Sequence, residues 1–383
     1  MFRYSWAAAI ALAAFVCPFS VSAKDIKIGV SVPLSGSGAA WGIAEAEGVR
    51  FAAEDVNQAG GLDINGVRYK VDVVVYDDQY KSSETVAAYN RLINQDGAKY
   101  IFLMSSAATM ALKQTIENDD VLVLTGAYAS KAIDPDTRNL VRLMSPPADY
   151  IPAVVRWMKA NVQGRRVAII NPNDESGWDI LRISAEAYTK EGFEVVAREL
   201  AERSQKEFMP LLTRIIASDP DIIELGGTSP STAGLIVRQA RELGYKKEFS
   251  ALGGSGPREV VAAAGAQAAE GMINVLLIDP ANKDYQSLVE RFRNKFGQAP
   301  NEFIVPYYDA TKVLLKAISL AGDPDNPRSV RDALARALPM TSLQGHQMTF
   351  GGKSTIGIDA QIMTGNFIGK LHNGQPVAVG ATR

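Results

Sequence analysis

Cysteine is all but missing from this chain, with one residue, Cys17, in 383. Cys17 falls inside an N-terminal segment that reads as a removable leader, so the mature chain is expected to have none. A disulfide, a thiolate nucleophile and a cysteine-based metal site are then excluded. Histidine is nearly as scarce: only His346 and His372 occur, and there is no G-x-S-x-G elbow. Catalysis therefore finds little support, although a hydrolase built on a carboxylate pair, or on serine with lysine, stays open. No apolar run reaches the roughly 20 residues of a membrane-spanning helix. No charge excess exists either. The 40 Lys and Arg include Arg3 of the leader, so 39 remain against 42 Asp and Glu, a net of −3. That balance argues against nucleic acid or an anionic membrane surface as partner.

The leader opens on Arg3 and continues through an apolar run from Trp6 to Val16, too short for an anchor. It ends on Val21-Ser22-Ala23, which fits cleavage before Lys24 and export to the periplasm. Lipid attachment at Cys17 is disfavoured because Phe15 and Val16 stand where small residues are needed. Removing 23 residues leaves 360, enough for two domains.

Short β-rich runs alternate with helical stretches throughout. Ile26–Val32 leads through Ser35-Gly36-Ser37-Gly38 into a helix from about Ala40 to Gln58, with Ala44, Gly48, Phe51, Ala52 and Val56 on one face. Strands are expected at Tyr69–Tyr76, Tyr100–Leu103 and Val121–Leu124, with helices between them. After Met144-Ser145-Pro146-Pro147 the pattern restarts with strands at Arg166–Ile170, Phe193–Arg198, Asp221–Glu224 and Phe249–Leu252. Met272–Ile278 reads as a strand returning to the first unit, and Gln347–Phe350 and Gln361–Lys370 as two late strands. The βαβα order implies α/β architecture in two doubly wound parallel-sheet lobes joined by three crossovers. The lobes are expected at 24–144 plus 274–344 and at 145–273 plus 345–383. Ligands of such sheets collect at the carboxyl ends of strands, so two facing lobes make a cleft that can close.

Several motifs have plain readings. Gly36-x-Gly38-x-x-x-Gly42 misses the dinucleotide spacing, and Gly351-Gly352-Lys353-Ser354-Thr355 lacks the first glycine of a phosphate loop, since residue 347 is Gln. Asp77 and Asp78, adjacent on a strand end, point to opposite faces and suit loop hydrogen bonding better than acid–base pairing. Met104-Ser105-Ser106-Ala107-Ala108-Thr109 is the strongest chemical signal. It leaves a strand and enters a helix, so amides and hydroxyls gather where a carboxylate is favoured. Thr125–Ser130 ends the next strand in the same way. Trp41, Tyr80, Tyr128, Trp178, Tyr307 and Tyr308 supply aromatic groups at other strand ends and loops. Arg142 is expected to pair with an acid near the first crossover.

Taken together, Ile28-Gly29-Val30-x-x-Pro33-Leu34-Ser35-Gly36, Asp55-x-Asn57-x-x-Gly60-Gly61, Tyr76-Asp77-Asp78, Arg238-Gln239-Ala240-Arg241-x-x-Gly244 and Ala269-Glu270-Gly271 resemble the periplasmic solute-binding proteins of branched-chain amino acid ABC transporters. The resemblance covers the mature chain and implies the type I periplasmic binding fold, with capture of a solute for a membrane permease. It puts the carboxylate-binding serine on Ser106, with Ser105 beside it, the first-loop aromatic on Trp41, and further contacts on Ala127 and Tyr128. Three positions depart from the pattern: a carboxylate-holding threonine falls on Ala129, the second-lobe aromatic on Thr228, and the ammonium-pairing glutamate on Gly254. The family's disulfide would join positions 80 and 105, here Tyr80 and Ser105.

A buried ammonium without an anionic partner is costly. An amino acid ligand would therefore need Asp174, Glu175 or Glu224 to supply the charge, whereas a flat aromatic carboxylic acid would not. The expected ligand-lining set is Trp41, Met104, Ser105, Ser106, Ala127, Tyr128, Ser176, Thr228, Gly254 and Tyr307, with the amides of Ala127 and Tyr128 holding the anionic end. No cofactor or metal is expected, the partners being permease and ATPase subunits and the protein a monomer. Amide or urea binding, a sensory module and an exported hydrolase are the alternatives.

Overall fold

The computed structural model describes residues 24–254 and 256–382; the expected leader, with Cys17, lies outside the described residues. The chain begins on β1 (Lys24–Val32), where Ile26, Ile28, Val30 and Val32 are all buried. Then follow α1 (Ala39–Gln58), β2 (Leu62–Ile64), β3 (Val67–Asp77), α2 (Ser82–Asn94), β4 (Tyr100–Leu103), α3 (Ser106–Asn118), β5 (Leu122–Thr125) and β6 (Leu140–Arg142). Strands β1, β3, β4, β5 and β6 pair in parallel. Every residue of β4 and β5 is buried, as strands covered by helices on both faces require. Each Leu or Ile so placed contributes about 1.5–3 kcal/mol.

Helix α4 (Pro147–Asn161) carries the chain to a second sheet of β7 (Arg166–Pro172), β8 (Glu194–Ala201), β9 (Ile222–Glu224), β10 (Glu248–Ala251) and β11 (Ile273–Leu276), with α5 (Glu175–Lys190) between β7 and β8. Next, β12 (Met340–Thr341), β13 (Gln347–Gly351) and β14 (Gln361–Met363) rejoin the first sheet. Finally β15 (Phe367–His372) and β16 (Gln375–Ala381) complete the second. The expected fold class stands: two parallel-dominated sheets flanked by helices, crossed three times.

Two strand assignments from the sequence need correction. The strand near 272–278 does not return to the first unit; β11 lies between β10 and β15 in the second sheet. The run 361–370 is two strands in different sheets, broken at Thr364-Gly365-Asn366. Two crossings therefore move, one to after β11 and one to between β14 and β15. Residues 347–363 belong with the first sheet rather than the second. The hairpin β2–β3 turns on Asn65-Gly66, with φ of 52° and 84°, a strong two-residue turn signal in the sequence.

Glycine sets the pitch of one helix in each lobe. A Cβ on Gly42 would lie 1.9 Å from the Pro33 carbonyl oxygen, and one on Gly177 would lie 1.9 Å from that of Pro172. Both helices thus sit directly on the end of the preceding strand, one residue after Trp41 and Ser176. Of the three glycines that mimic a dinucleotide motif, Gly42 serves this packing. The loop itself is tied down by Asp77, which accepts from Leu34 N at 2.8 Å and from Ser35 Oγ at 2.7 Å.

Candidate functional site

Between the sheets lies a narrow cavity of about 30 Å³. The first lobe lines it with Trp41, Glu45, Tyr80, Met104, Ser106, Gly126, Tyr128 and Phe303. The second adds Ser176, Ile180, Arg203, Gly227 and Gly253, and Met144 completes it at the first crossing. These residues sit at the carboxyl ends of strands, where the loops of both sheets converge. Four aromatic rings dominate one wall: Trp41 packs against Tyr80 and Phe303 with centroids 6.2 Å apart in each case, and Phe303 lies 6.4 Å from Tyr128.

The lobes meet across this cavity. Ser106 Oγ lies 2.9 Å from Ser176 Oγ. Ser130 N and Oγ donate to Asp179 at 2.7 and 2.6 Å. The Arg203 guanidinium stacks over the Tyr80 ring at 4.5 Å. The cleft is closed.

Ser106 occupies the place its strand-end position predicts. Its Oγ accepts from Tyr128 N and Ala129 N, both at 3.0 Å, and from Ser176 Oγ at 2.9 Å, so it is the acceptor in all three contacts and its own proton is left to give away. Trp41, Met104, Tyr128 and Ser176 also line the cavity. The other five expected residues do not. The Ser105 hydroxyl caps α3 by accepting from Ala108 N at 3.0 Å. The Ala127 amide donates to Thr125 Oγ1 at 3.0 Å. Tyr307 stands behind the wall, its hydroxyl donating to the Leu103 carbonyl at 3.2 Å. Thr228 lines a smaller neighbouring pocket, and Gly254 packs near the Thr228 carbonyl while Gly253 faces the cavity. The amides of Ala127 and Tyr128 are therefore spent within the protein, and the anion donors must be sought elsewhere.

Arg203, two residues beyond β8, is the cation that lines the cavity. Its Nε pairs with Asp174, and Nη1 donates to the Gly227 carbonyl at 3.2 Å. Two of five N–H groups are thereby used. Asp174 also caps α5 by accepting from Gly177 N at 2.9 Å. Of the acids expected to balance an ammonium, Asp174 is thus neutralised already. Glu175 lines a different, outer pocket, and Glu224 is buried under Ser250, Leu252 N and Tyr188.

The acid that does face the cavity is Glu45, one helical turn after Trp41 and on the same face of α1. It is fully buried, and neither carboxyl oxygen has a hydrogen-bond partner. Burial, reinforced by the charge of Asp78, pushes its pKa well above the carboxylate range; the Tyr307 hydroxyl offsets this only in part. Burial likewise pushes the Tyr80 hydroxyl up to about 12, so it stays protonated.

Arg142 departs from expectation. It meets no acid directly. Fully buried, it donates to the carbonyls of Ala127 at 2.8 Å and Ala129 at 2.9 Å and to Gln361 Oε1 at 3.0 Å, and Gln361 Nε2 in turn donates to Asp149 at 2.7 Å. Desolvation lowers its pKa to about 10, so it keeps its charge while holding the 127–129 loop against the crossings.

Comparison with known proteins agrees with this architecture. The family model for periplasmic binding proteins matches residues 25–375. A leucine-, isoleucine-, valine-, threonine- and alanine-binding protein of Pseudomonas aeruginosa is 28% identical over 333 residues, covering 85% of this chain and 86% of that protein. The crystal structure of a leucine-binding protein from Thermotoga maritima superposes with a TM-score of 0.80 at 21% identity, covering 93% of this chain and 98% of that one. A solute-binding protein of an ABC transporter from R. palustris, in complex with benzoate, gives 0.79 at 20% identity, with coverages of 94% and 96%.

Proposed function

This chain belongs to the periplasmic binding protein family, and from that premise we propose that it captures a small carboxylate in the interlobe cavity for an ABC permease and its ATPase. One observation carries the reading: a half-buried guanidinium, Arg203, and two serine hydroxyls, Ser106 and Ser176, converge on a cavity walled by aromatic rings. A carboxylate there receives charge-assisted hydrogen bonds from Arg203 and the proton of Ser106, while Trp41, Tyr80, Tyr128 and Phe303 cover a flat apolar body. Closure of the two lobes on the ligand presents the form a permease recognises. In this reading residues 1–23 are a cleaved leader, the site of action is the periplasm, and no chemistry is performed on the ligand.

Titration calorimetry with benzoate and with leucine tests the proposal. The expected result is saturable 1:1 binding of the aromatic acid and weaker binding of leucine. Tight leucine binding overturns the aromatic preference, and the absence of binding by any carboxylate overturns the reading as a whole.

A further inference from the structure

Glu45 is not explained by the capture of a carboxylate. An acid beside the place where an anion is held opposes binding unless it carries a proton or meets a donor. Nor does the fold use it, because both its oxygens lack partners although the side chain is fully buried. A buried polar group without a hydrogen bond is destabilising, so its retention on the cavity wall points to a group that arrives with the ligand. The Tyr307 hydroxyl fills the role only in part: it approaches Glu45 and eases its burial, but its proton is donated to the Leu103 carbonyl at 3.2 Å.

We propose that Glu45 receives a hydroxyl group of the ligand, so that the cavity selects planar carboxylic acids bearing a hydroxyl substituent. This rests on the carboxylate reading of the same site. Arg203 comes from the second lobe and Glu45 from α1 in the first, so a ligand bridging the closed cleft meets a cation on one wall and a carboxyl on the other. Its burial, and then the charge of Asp78, favour the protonated form of Glu45. A protonated carboxyl offers one donor and one acceptor, and a hydroxyl is the group that answers both. An ammonium would instead require Glu45 to ionise while buried and close to the charge of Asp78. The clustered rings of Trp41, Tyr80, Tyr128 and Phe303, packed tilted and edge-on, favour an aromatic body between the two ends.

The experiment compares 4-hydroxybenzoate and benzoate by calorimetry on the mature protein, on Glu45→Met and on Glu45→Gln. The wild type is expected to bind 4-hydroxybenzoate at least about tenfold more tightly, the effect of one buried hydrogen bond. Glu45→Met is expected to equalise the two acids with no loss of melting temperature, because an apolar isostere removes an unpaired polar group. Glu45→Gln, which keeps an acceptor and a donor, retains part of the preference. Equal affinities in the wild type, or a preference surviving in Glu45→Met, overturn the inference while leaving the carboxylate reading intact. A sharp fall in the melting temperature of both variants also overturns it, assigning Glu45 to the fold. If neither acid binds the wild type, the carboxylate reading itself fails.

Discussion

The Ser145 hydroxyl and the backbone of Thr364 clasp one another, Ser145 Oγ donating to the Thr364 carbonyl at 2.8 Å and accepting from the Thr364 amide at 3.0 Å. Ser145 lies in the first crossing between the sheets and Thr364 in the last, so one side chain pins two of the three strands of chain that join the lobes. Ser145→Ala leaves a buried amide and a buried carbonyl unsatisfied. The expected loss is about 1–3 kcal/mol of unfolding free energy, read from urea denaturation. An unchanged midpoint would mean that the clasp contributes nothing to stability.

Arg203 separates charge from geometry in ligand capture. Arg203→Lys keeps a cation but loses the planar fork, and Arg203→Met loses both. Calorimetry with an aromatic acid should give a modest weakening for the first and about 100-fold or more for the second, equivalent to about 2.7 kcal/mol. Equal affinities in wild type and Arg203→Met would remove Arg203 from the site.

Arg142 bears on the shape of the cavity floor rather than on the ligand. Arg142→Met orphans three buried acceptors, the carbonyls of Ala127 and Ala129 and Gln361 Oε1. A destabilisation of about 3–5 kcal/mol is expected, as when one partner of a buried charged network is removed. Ligand affinity should fall with it, because the same loop presents the amides that align Ser106. A melting curve together with a binding isotherm checks both.

Asp309 supplies a pH signature. It is buried, its carboxylate accepts from Leu343 N at 3.0 and 3.1 Å, and desolvation raises its pKa to about 7. The folded chain therefore holds a proton that the unfolded chain releases near pH 4. Stability from this group is fully present below about pH 4 and is lost as pH rises through about 7. Asp309→Asn keeps an acceptor and cannot titrate. Its melting temperature should gain on the wild type progressively from pH 4 to 7 and level off above, a difference of a few kcal/mol. A difference independent of pH would exclude the titration.

Much of this molecule can be read before its coordinates. The strands 26–32 and 100–103 and the helix after the Gly-Ser loop follow from apolar runs, turn residues and periodicity, and Trp41, Ser106 and Tyr128 follow from sitting where strands end. Other features depend on partners far away in sequence. An apolar strand such as β11 suits either sheet equally, and only its neighbours β10 and β15 decide. The segment 361–370 carries two apolar runs close enough to pass for one strand, and only the Thr364-Gly365-Asn366 stretch marks the break. Arg203 and Glu45 read as ordinary surface charges, because what makes them special is tertiary: Arg203 stacks on Tyr80 of the opposite lobe, and Glu45 is buried near Tyr307 and Asp78 of its own. The strand-end rule reaches Arg203 when applied to β8, and helical spacing from Trp41 reaches Glu45.

The paired glycines have a consequence for how such a protein diversifies. Residues 42 and 177 press backbone on backbone, so they fix where each helix stands, while residues 41 and 176 merely project from that fixed stand into the cleft. In a saturation library, positions 42 and 177 should accept glycine alone, whereas 41 and 176 should tolerate many side chains and change which solute is taken up. Frame and vocabulary are thereby assigned to adjacent residues, and a lineage can rewrite the second without disturbing the first.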